Sequence, residues 1–337
     1  MEPGGYSLSV VVTFERLDHA CMPKNVCAGG CACQTLNLSS SRVTFRALDT
    51  AAGSPPPPAS LPPCGPSGPS PAEGRWVLWE GGDPHNWTWS PWLCSLGWAR
   101  SVEKRDCPRI WLVGDSHMHQ VHAKLGSWNW TRPKDVMQSF YFRGSGIFKR
   151  DIAPRDFNDM VQRAARGDCN GTPYPYPLEE GGVSGAFLHY VMKRVHEMAE
   201  NDVVVLSAGT WDLRDDTVEA FLGDLARFLE ASRAQRSEIK RRGARVFWRT
   251  APPYSFHKSM WQGREGRTNE KLAAASIGAK ELAAREGLEV WDSYRVLAAR
   301  WDSPCDTHHY LCGKSPFEPG VDDLSVFLSL VCKRPGL

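Results

Sequence analysis

A chain of 337 residues that is 42% hydrophobic can bury a substantial core, which excludes a disordered or fibrous protein. With 40 Lys+Arg against 38 Asp+Glu and no basic stripe interleaved with aromatics, neither nucleic acid nor an anionic membrane surface is expected as the main partner. No run reaches the roughly 18 apolar residues of a membrane span, so no integral span is expected in this chain.

In chain order, residues 1–53 read as a β-rich extension that could be a fragment of a larger unit. "SLSVVVTFERL" and "SRVTFRALDT" are β-branched strands on either side of a Cys/Gly segment. Residues 54–73 combine Pro, Gly and Ser densely enough to exclude a helix or central strand, and predict an extended linker. A boundary is expected near residue 74, with one domain over residues 74–337. That domain opens with a tryptophan-dense stretch, including Trp76, Trp79, Trp87, Trp89, Trp92 and Trp98, which reads as packing before it reads as a sugar-stacking platform.

Strands and helices then alternate. "RIWLVGD", "NDVVVLSAG", "ARVFWRTAPP" and "GLEVWDSY" are short apolar runs, and residues 185–201, 217–232 and 269–286 carry helical signals between them. Continuously apolar strands separated by helices predict an α/β fold, a mostly parallel sheet covered on both faces as a three-layer αβα sandwich. Sites in such sheets lie at the carboxyl ends of the strands. That rule singles out Gly114-Asp115-Ser116, Gly209-Thr210-Trp211-Asp212 and the turn from Thr250 to Pro253.

The chain holds 11 cysteines, many for a reducing compartment, and four Asn-x-Ser/Thr sequons at Asn37, Asn86, Asn129 and Asn170. Both features point to the secretory pathway: Golgi lumen, cell surface or outside the cell. The first residues carry no basic segment followed by an apolar one, so no signal peptide is visible in this chain. Structural zinc at "CAGGCAC" is the competing account of the cysteines, but no second ligand pair follows at zinc-finger distance.

"RIWLVGDSHMHQVH" holds two rival chemistries. In the first, Ser116 stands on the turn after a strand, where a helix N-terminus offers N–H groups to a developing oxyanion. A serine needs a base, and the base needs an acceptor that fixes its tautomer. "CDTHHYLC" supplies both, with Asp306 three residues before His309 and Cys305 and Cys312 bracketing the loop. In the second, His117, His119 and His122 repeat an H-x-H-x-x-H metal pattern, but Val121 stands where an Asp is usual. If the segment is helical, His117 points away from the other two. The serine reading is preferred, and no metal or other cofactor is expected.

Gly-Asp-Ser near the domain start, a strand ending in Gly-x-Trp-Asp, a strand running into "TAPP", and Asp-x-x-His-Tyr near the end occur in this order. The order resembles the SGNH/GDSL hydrolase superfamily. It is most similar to the PC-esterase branch, with the trichome-birefringence-like polysaccharide O-acetyltransferases and the neurexophilin-and-PC-esterase-domain proteins. The resemblance covers roughly residues 64–332 and implies an SGNH/flavodoxin-like fold. It implies Ser116 as nucleophile, His309 as general base and Asp306 as its orienter. The family's oxyanion hole takes the nucleophile's N–H, a Gly N–H, here implied to be Gly144 or Gly146, and an Asn side chain. Trp211 stands in that Asn position, so one donor is missing unless the indole N–H replaces it.

The expected function is therefore a serine-dependent acyl esterase or O-acyltransferase on an O-acetylated glycan or another acylated, hydroxyl-bearing small molecule. A non-catalytic glycan-binding or adhesion module on the same scaffold is the alternative, and a metal hydrolase a weaker one. Asp115 is expected to shape the nucleophile turn, Asp212 to cap a turn and His308 to be a neighbour of the base, while contact of Arg249 and His257, which flank "TAPP", with substrate is the weaker reading of those two residues.

Overall fold

A computed structural model describes residues 61–65, 68–78, 87–96, 107–127, 137–141, 182–254, 268–300, 308–311 and 318–332. Contacts divide the chain into two compact units, Met1–Ser54 and Pro55–Leu337. The expected β-rich extension, its four cysteines and the asparagines of all four sequons lie outside the described residues.

Strands β1 (Gly74–Leu78) and β2 (Trp87–Pro91) pair antiparallel, with Trp76 opposite Trp89. The main sheet holds β3 (Ile110–Gly114), β4 (Met137–Tyr141), β5 (Val203–Ser207), β6 (Arg245–Arg249) and β7 (Glu289–Trp291) in the order β4-β3-β5-β6-β7. Every pairing in it is parallel. The order reverses between β3 and β5, and in open α/β sheets a site is expected at the carboxyl ends beside that reversal.

Eight α-helices are described: α1 (Ser116–Ser127), α2 (Gly182–Ala186), α3 (Asp212–Asp215), α4 (Val218–Ala231), α5 (Arg233–Arg241), α6 (Asn269–Arg285), α7 (Ser293–Leu297) and α8 (Pro319–Val331). Side chains alternate across a strand, so each strand feeds two cores. Trp111, Val113, Val204, Leu206, Val246 and Trp248 pack with apolar residues of α2, α4, α5 and α6. Ile110, Leu112, Val203, Val205, Phe247 and Trp291 pack with Met118, Val121 and Leu125 of α1 and Leu324, Phe327 and Leu328 of α8. Those two cores make the three-layer αβα sandwich expected from the alternating pattern.

The four apolar runs become β3, β5, β6 and β7. Helix α4 starts where Thr217 accepts a hydrogen bond from the Ala220 N–H, and α6 where Thr268 accepts one from the Lys271 N–H. The helix expected over residues 185–201 differs: α2 passes into a π turn at Phe187–Val191 and a 3₁₀ segment at Met192–Glu197. The wider π winding keeps Val183, Phe187, Leu188 and Val191 all in the core.

The described part of the Pro/Gly/Ser-rich segment is tied down. Pro63 bridges Ser95, Cys64 is disulfide-bonded to Cys94, and Trp89 Nε1 donates to the Pro71 carbonyl at 2.9 Å. These contacts supply the partners that composition alone does not reveal. A second disulfide, Cys107–Cys332, links the approach to β3 with the end of α8. Trp76 and Trp89 meet edge to face at 5.7 Å, and Trp89 and Trp111 are buried, which fits packing. Among the described residues, no helix is long and apolar enough to cross a membrane.

Candidate active site

The five residues of β3 are all buried, and the strand ends at Gly114. A Cβ on Gly114 would lie 2.5 Å from Met118 Cγ and 2.9 Å from the Ser207 carbonyl oxygen, so the turn into α1 requires glycine there. Asp115 is 1% exposed, and its Oδ1 accepts the His117 N–H at 3.0 Å. Its carbonyl accepts the Met118 and His119 N–H groups at 3.0 and 3.2 Å. The Asp115 side chain thus shapes the turn as its residue type suggests. Ser116, half-buried, is the first residue of α1.

The histidine arrives from the far end of the chain. Ser116 Oγ and His309 Nε2 are 2.7 Å apart across 193 positions of sequence. The loop bearing His309 is held from two sides. Leu311 is buried in the core that contains Met118, Val121 and Leu125, and the Gly320 N–H of α8 donates to the Tyr310 carbonyl at 3.2 Å. A Cβ on Gly320 would meet that carbonyl oxygen at 2.5 Å and Leu311 Cγ at 2.6 Å, which makes this a close approach of helix to loop.

Backbone donors near the nucleophile are largely committed. The His117, Met118 and His119 N–H groups bond to Asp115, and the Gly209 N–H donates to Asp212 Oδ2 at 2.9 Å. Ser116 begins a 12-residue helix with no acidic residue in its first turn, so the positive end of that helix lies at the serine.

Burial pushes the Asp115 carboxyl above the usual carboxylate range, opposed by the His117 N–H, the Arg249 guanidinium and His309. Burial also lowers His122, with the neighbouring His119 charge adding to it.

Behind the turn lies a buried polar network that connects three elements. Arg249, at the end of β6, is 3% exposed; its Nη2 donates to Asp323 Oδ2 at 3.0 Å and its Nε to Ser293 Oγ at 3.0 Å. Asp323, fully buried on α8, also accepts from Trp291 Nε1 at 2.8 Å and from the Ser293 hydroxyl. The guanidinium lies 4.3 Å from the Trp291 ring centroid, and its Nη1 meets Met118 Sδ at 3.6 Å. Arg249 is an interior residue, in line with the weaker standing of substrate contact for it, because its planar fork is satisfied by a carboxylate and a hydroxyl inside the fold.

The H-x-H-x-x-H residues do not converge. The α-helical path turns His117 inward, to 3% exposure, and His119 outward. Among the described residues no group of three His, Cys, Asp or Glu side chains is arranged to hold a metal ion. His117 packs instead against the rings of His308 and His309, at centroid distances of 5.4 and 5.0 Å. Helical spacing alone could place His117 on the inner face but could not name its partners.

His308 lies 4.1 Å from His309 by ring centroids and 6.2 Å from Tyr254, whose hydroxyl donates to the Thr210 carbonyl at 2.8 Å. Tyr254 therefore joins the turn after β5 to the histidine loop, a contact that no local pattern signals. Asp212 caps the Gly209 turn as expected. Trp211 sits half-buried at the N-cap of α3, with the Arg214 guanidinium 5.3 Å from its ring centroid. Asp306, Gly144, Gly146, His257, Cys305 and Cys312 lie outside the described residues.

No protein-family model matches the chain, and no curated protein matches it in sequence. Similar solved structures include the lipase/acylhydrolase from Enterococcus faecalis, 15% identical, covering 68% of this chain and 100% of that one with a TM-score of 0.38. A carbohydrate acetylesterase from Sinorhizobium meliloti is 12% identical, covering 66% of this chain and 96% of that one with a TM-score of 0.38. The aryl esterase of M. smegmatis is 14% identical over 66% of this chain and 96% of that one, with a TM-score of 0.36.

Proposed function

We propose that this chain is a serine-dependent acyl hydrolase or O-acyltransferase of the SGNH kind, acting on an ester of a hydroxyl-bearing substrate such as an O-acetylated glycan. The observation that carries the reading is the 2.7 Å approach of His309 Nε2 to Ser116 Oγ at the carboxyl end of the sheet. Nucleophile and base within hydrogen-bond reach, beside a helix N-terminus, are the parts that acyl transfer requires.

In this reading the Ser116 hydroxyl donates its hydrogen to Nε2, so the imidazole proton resides on Nδ1. Holding that proton is the role the family resemblance gives to Asp306. Oγ attacks the ester carbonyl as Nε2 takes its proton, and the carbonyl oxygen becomes an oxyanion facing the Ser116 N–H. Collapse of the tetrahedral adduct breaks the C–O bond, and His309 returns the proton to the leaving alkoxide. Water or a second sugar hydroxyl, deprotonated by His309, then attacks the acyl-enzyme, the bond from the acyl carbon to Oγ breaks, and His309 returns the proton to Ser116. Esterase and transferase differ only in that acceptor.

The glycan and the secretory address belong to the same proposal. They are supported by the motif order shared with the PC-esterase branch, by two disulfides, and by the four sequons. Release of p-nitrophenol from its acetate ester by the wild type, and its loss in Ser116→Ala, tests the reading. Full turnover by Ser116→Ala, or none by the wild type, overturns it.

A further inference from the structure

We infer that the buried Arg249–Asp323 ion pair is the device that sets the approach of Ser116 to His309, making Arg249 and Asp323 positioning residues for the reaction. The inference rests on the hydrolase reading above, and asks what holds two residues from opposite ends of the chain in register.

The pair lies between the helix that begins with the nucleophile and the helix that holds the base loop. On one side, Arg249 Nη1 contacts Met118 Sδ at 3.6 Å. Met118 lies two residues after the nucleophile and fills the space a side chain on Gly114 would need. On the other side, Asp323 belongs to α8, whose Gly320 holds the carbonyl of Tyr310, the residue after the base. The nucleophile helix and the base loop are thus each one contact away from opposite ends of one ion pair. A second α1–α8 link, Lys124 Nζ to Glu318 Oε2 at 3.4 Å, lies further along the same helix pair.

The environment argues that the pair is not there for stability. Both side chains are withdrawn from water, 3% and 0% exposed, and a buried pair seldom recovers its desolvation penalty relative to apolar residues of similar volume. Its fixed geometry, a planar fork against a carboxylate already held by Trp291 and Ser293, is what an apolar pair cannot reproduce. The fork fixes direction as well as distance, which a 2.7 Å approach between Ser116 and His309 requires.

The test is steady-state turnover of p-nitrophenyl acetate by the wild type, by Arg249→Met/Asp323→Leu, and by Arg249→Lys, each first shown to unfold cooperatively. The apolar double variant is expected to fold, with kcat lower by about 100-fold and KM unchanged, because misplacement of the dyad affects the chemical step and not substrate entry. Arg249→Lys, which keeps the charge but loses the fork, is expected to recover part of that kcat. A folded double variant with wild-type kcat overturns the inference and leaves the hydrolase reading intact. If the double variant does not fold, Arg249→Lys decides: kcat lower by about 10-fold at unchanged KM supports the inference, and wild-type kcat overturns it. A wild type without turnover overturns the hydrolase reading, and this inference with it.

Discussion

His309 reaches Ser116 at 2.7 Å although 193 residues separate them, and neither side chain belongs to a segment that touches the other locally. The contact exists because β3 ends beside the point where the sheet order reverses, and because α8 returns along the same face as α1 to hold the histidine loop.

Gly320 is a helical position where propensity and packing predict opposite signs. Alanine would favour the helix by about 1 kcal/mol on propensity alone, whereas its Cβ would collide with the Tyr310 carbonyl and Leu311. Overpacking of this kind costs roughly 1–3 kcal/mol, so Gly320→Ala should unfold a few degrees lower than the wild type in calorimetry. Turnover of p-nitrophenyl acetate should fall further than stability, since the displaced carbonyl adjoins His309. A raised thermal midpoint with full activity would show that the loop yields at no cost.

Asp115 makes folding stability depend on pH in a defined direction. Its carboxyl is pushed up by burial, so between its ordinary value and the raised one the folded state binds the extra proton, and stability falls as pH rises through that window. Asn at this position keeps the oxygen that accepts the His117 N–H but cannot ionise. The difference in thermal midpoint, Asp115→Asn minus wild type, should therefore be more positive at pH 7.5 than at pH 4. A difference that shrinks or reverses over that interval contradicts the assignment.

The Cys107–Cys332 bond closes a stretch with a sequence separation of 225, the longest loop among the described disulfides. On the chain-entropy account its loss should destabilise by about 5 kcal/mol. Cys107→Ser/Cys332→Ser, followed by denaturant titration, measures this. A change below about 1 kcal/mol would mean that the reduced chain retains structure joining β3 to α8.

The outward turn of His119 and inward turn of His117 lead to a chelator experiment. Exhaustive treatment with a divalent-metal chelator should leave p-nitrophenyl acetate turnover unchanged, and a preparation that loses activity and regains it with zinc would restore the histidine account of this helix.

The sequence disclosed most of what its local physics determines. Four apolar runs mark four of the five parallel strands, and amphipathic pattern marks α4 and α6. Gly114-Asp115-Ser116 was legible because a glycine and an Asx turn at a strand end have local causes. Helix α8 was not legible: nearly every side chain in "PGVDDLSVFLSLV", including Asp322 and Asp323, is buried, so no polar face produces a period. Nor was Arg249 legible as an interior residue, since its partners Ser293 and Asp323 are 44 and 74 positions away. Strands β1 and β2 hide in a stretch so rich in tryptophan that alternation is lost.

In the proposed reaction His309 activates Ser116 as a nucleophile. Incubation with a fluorophosphonate ester, followed by proteolysis and mass spectrometry, reads this at the residue itself. A single adduct on Ser116, formed roughly 10²–10⁴-fold more slowly in His309→Ala, is the expected result. An unmodified Ser116, or a rate unchanged by loss of the imidazole, would contradict it.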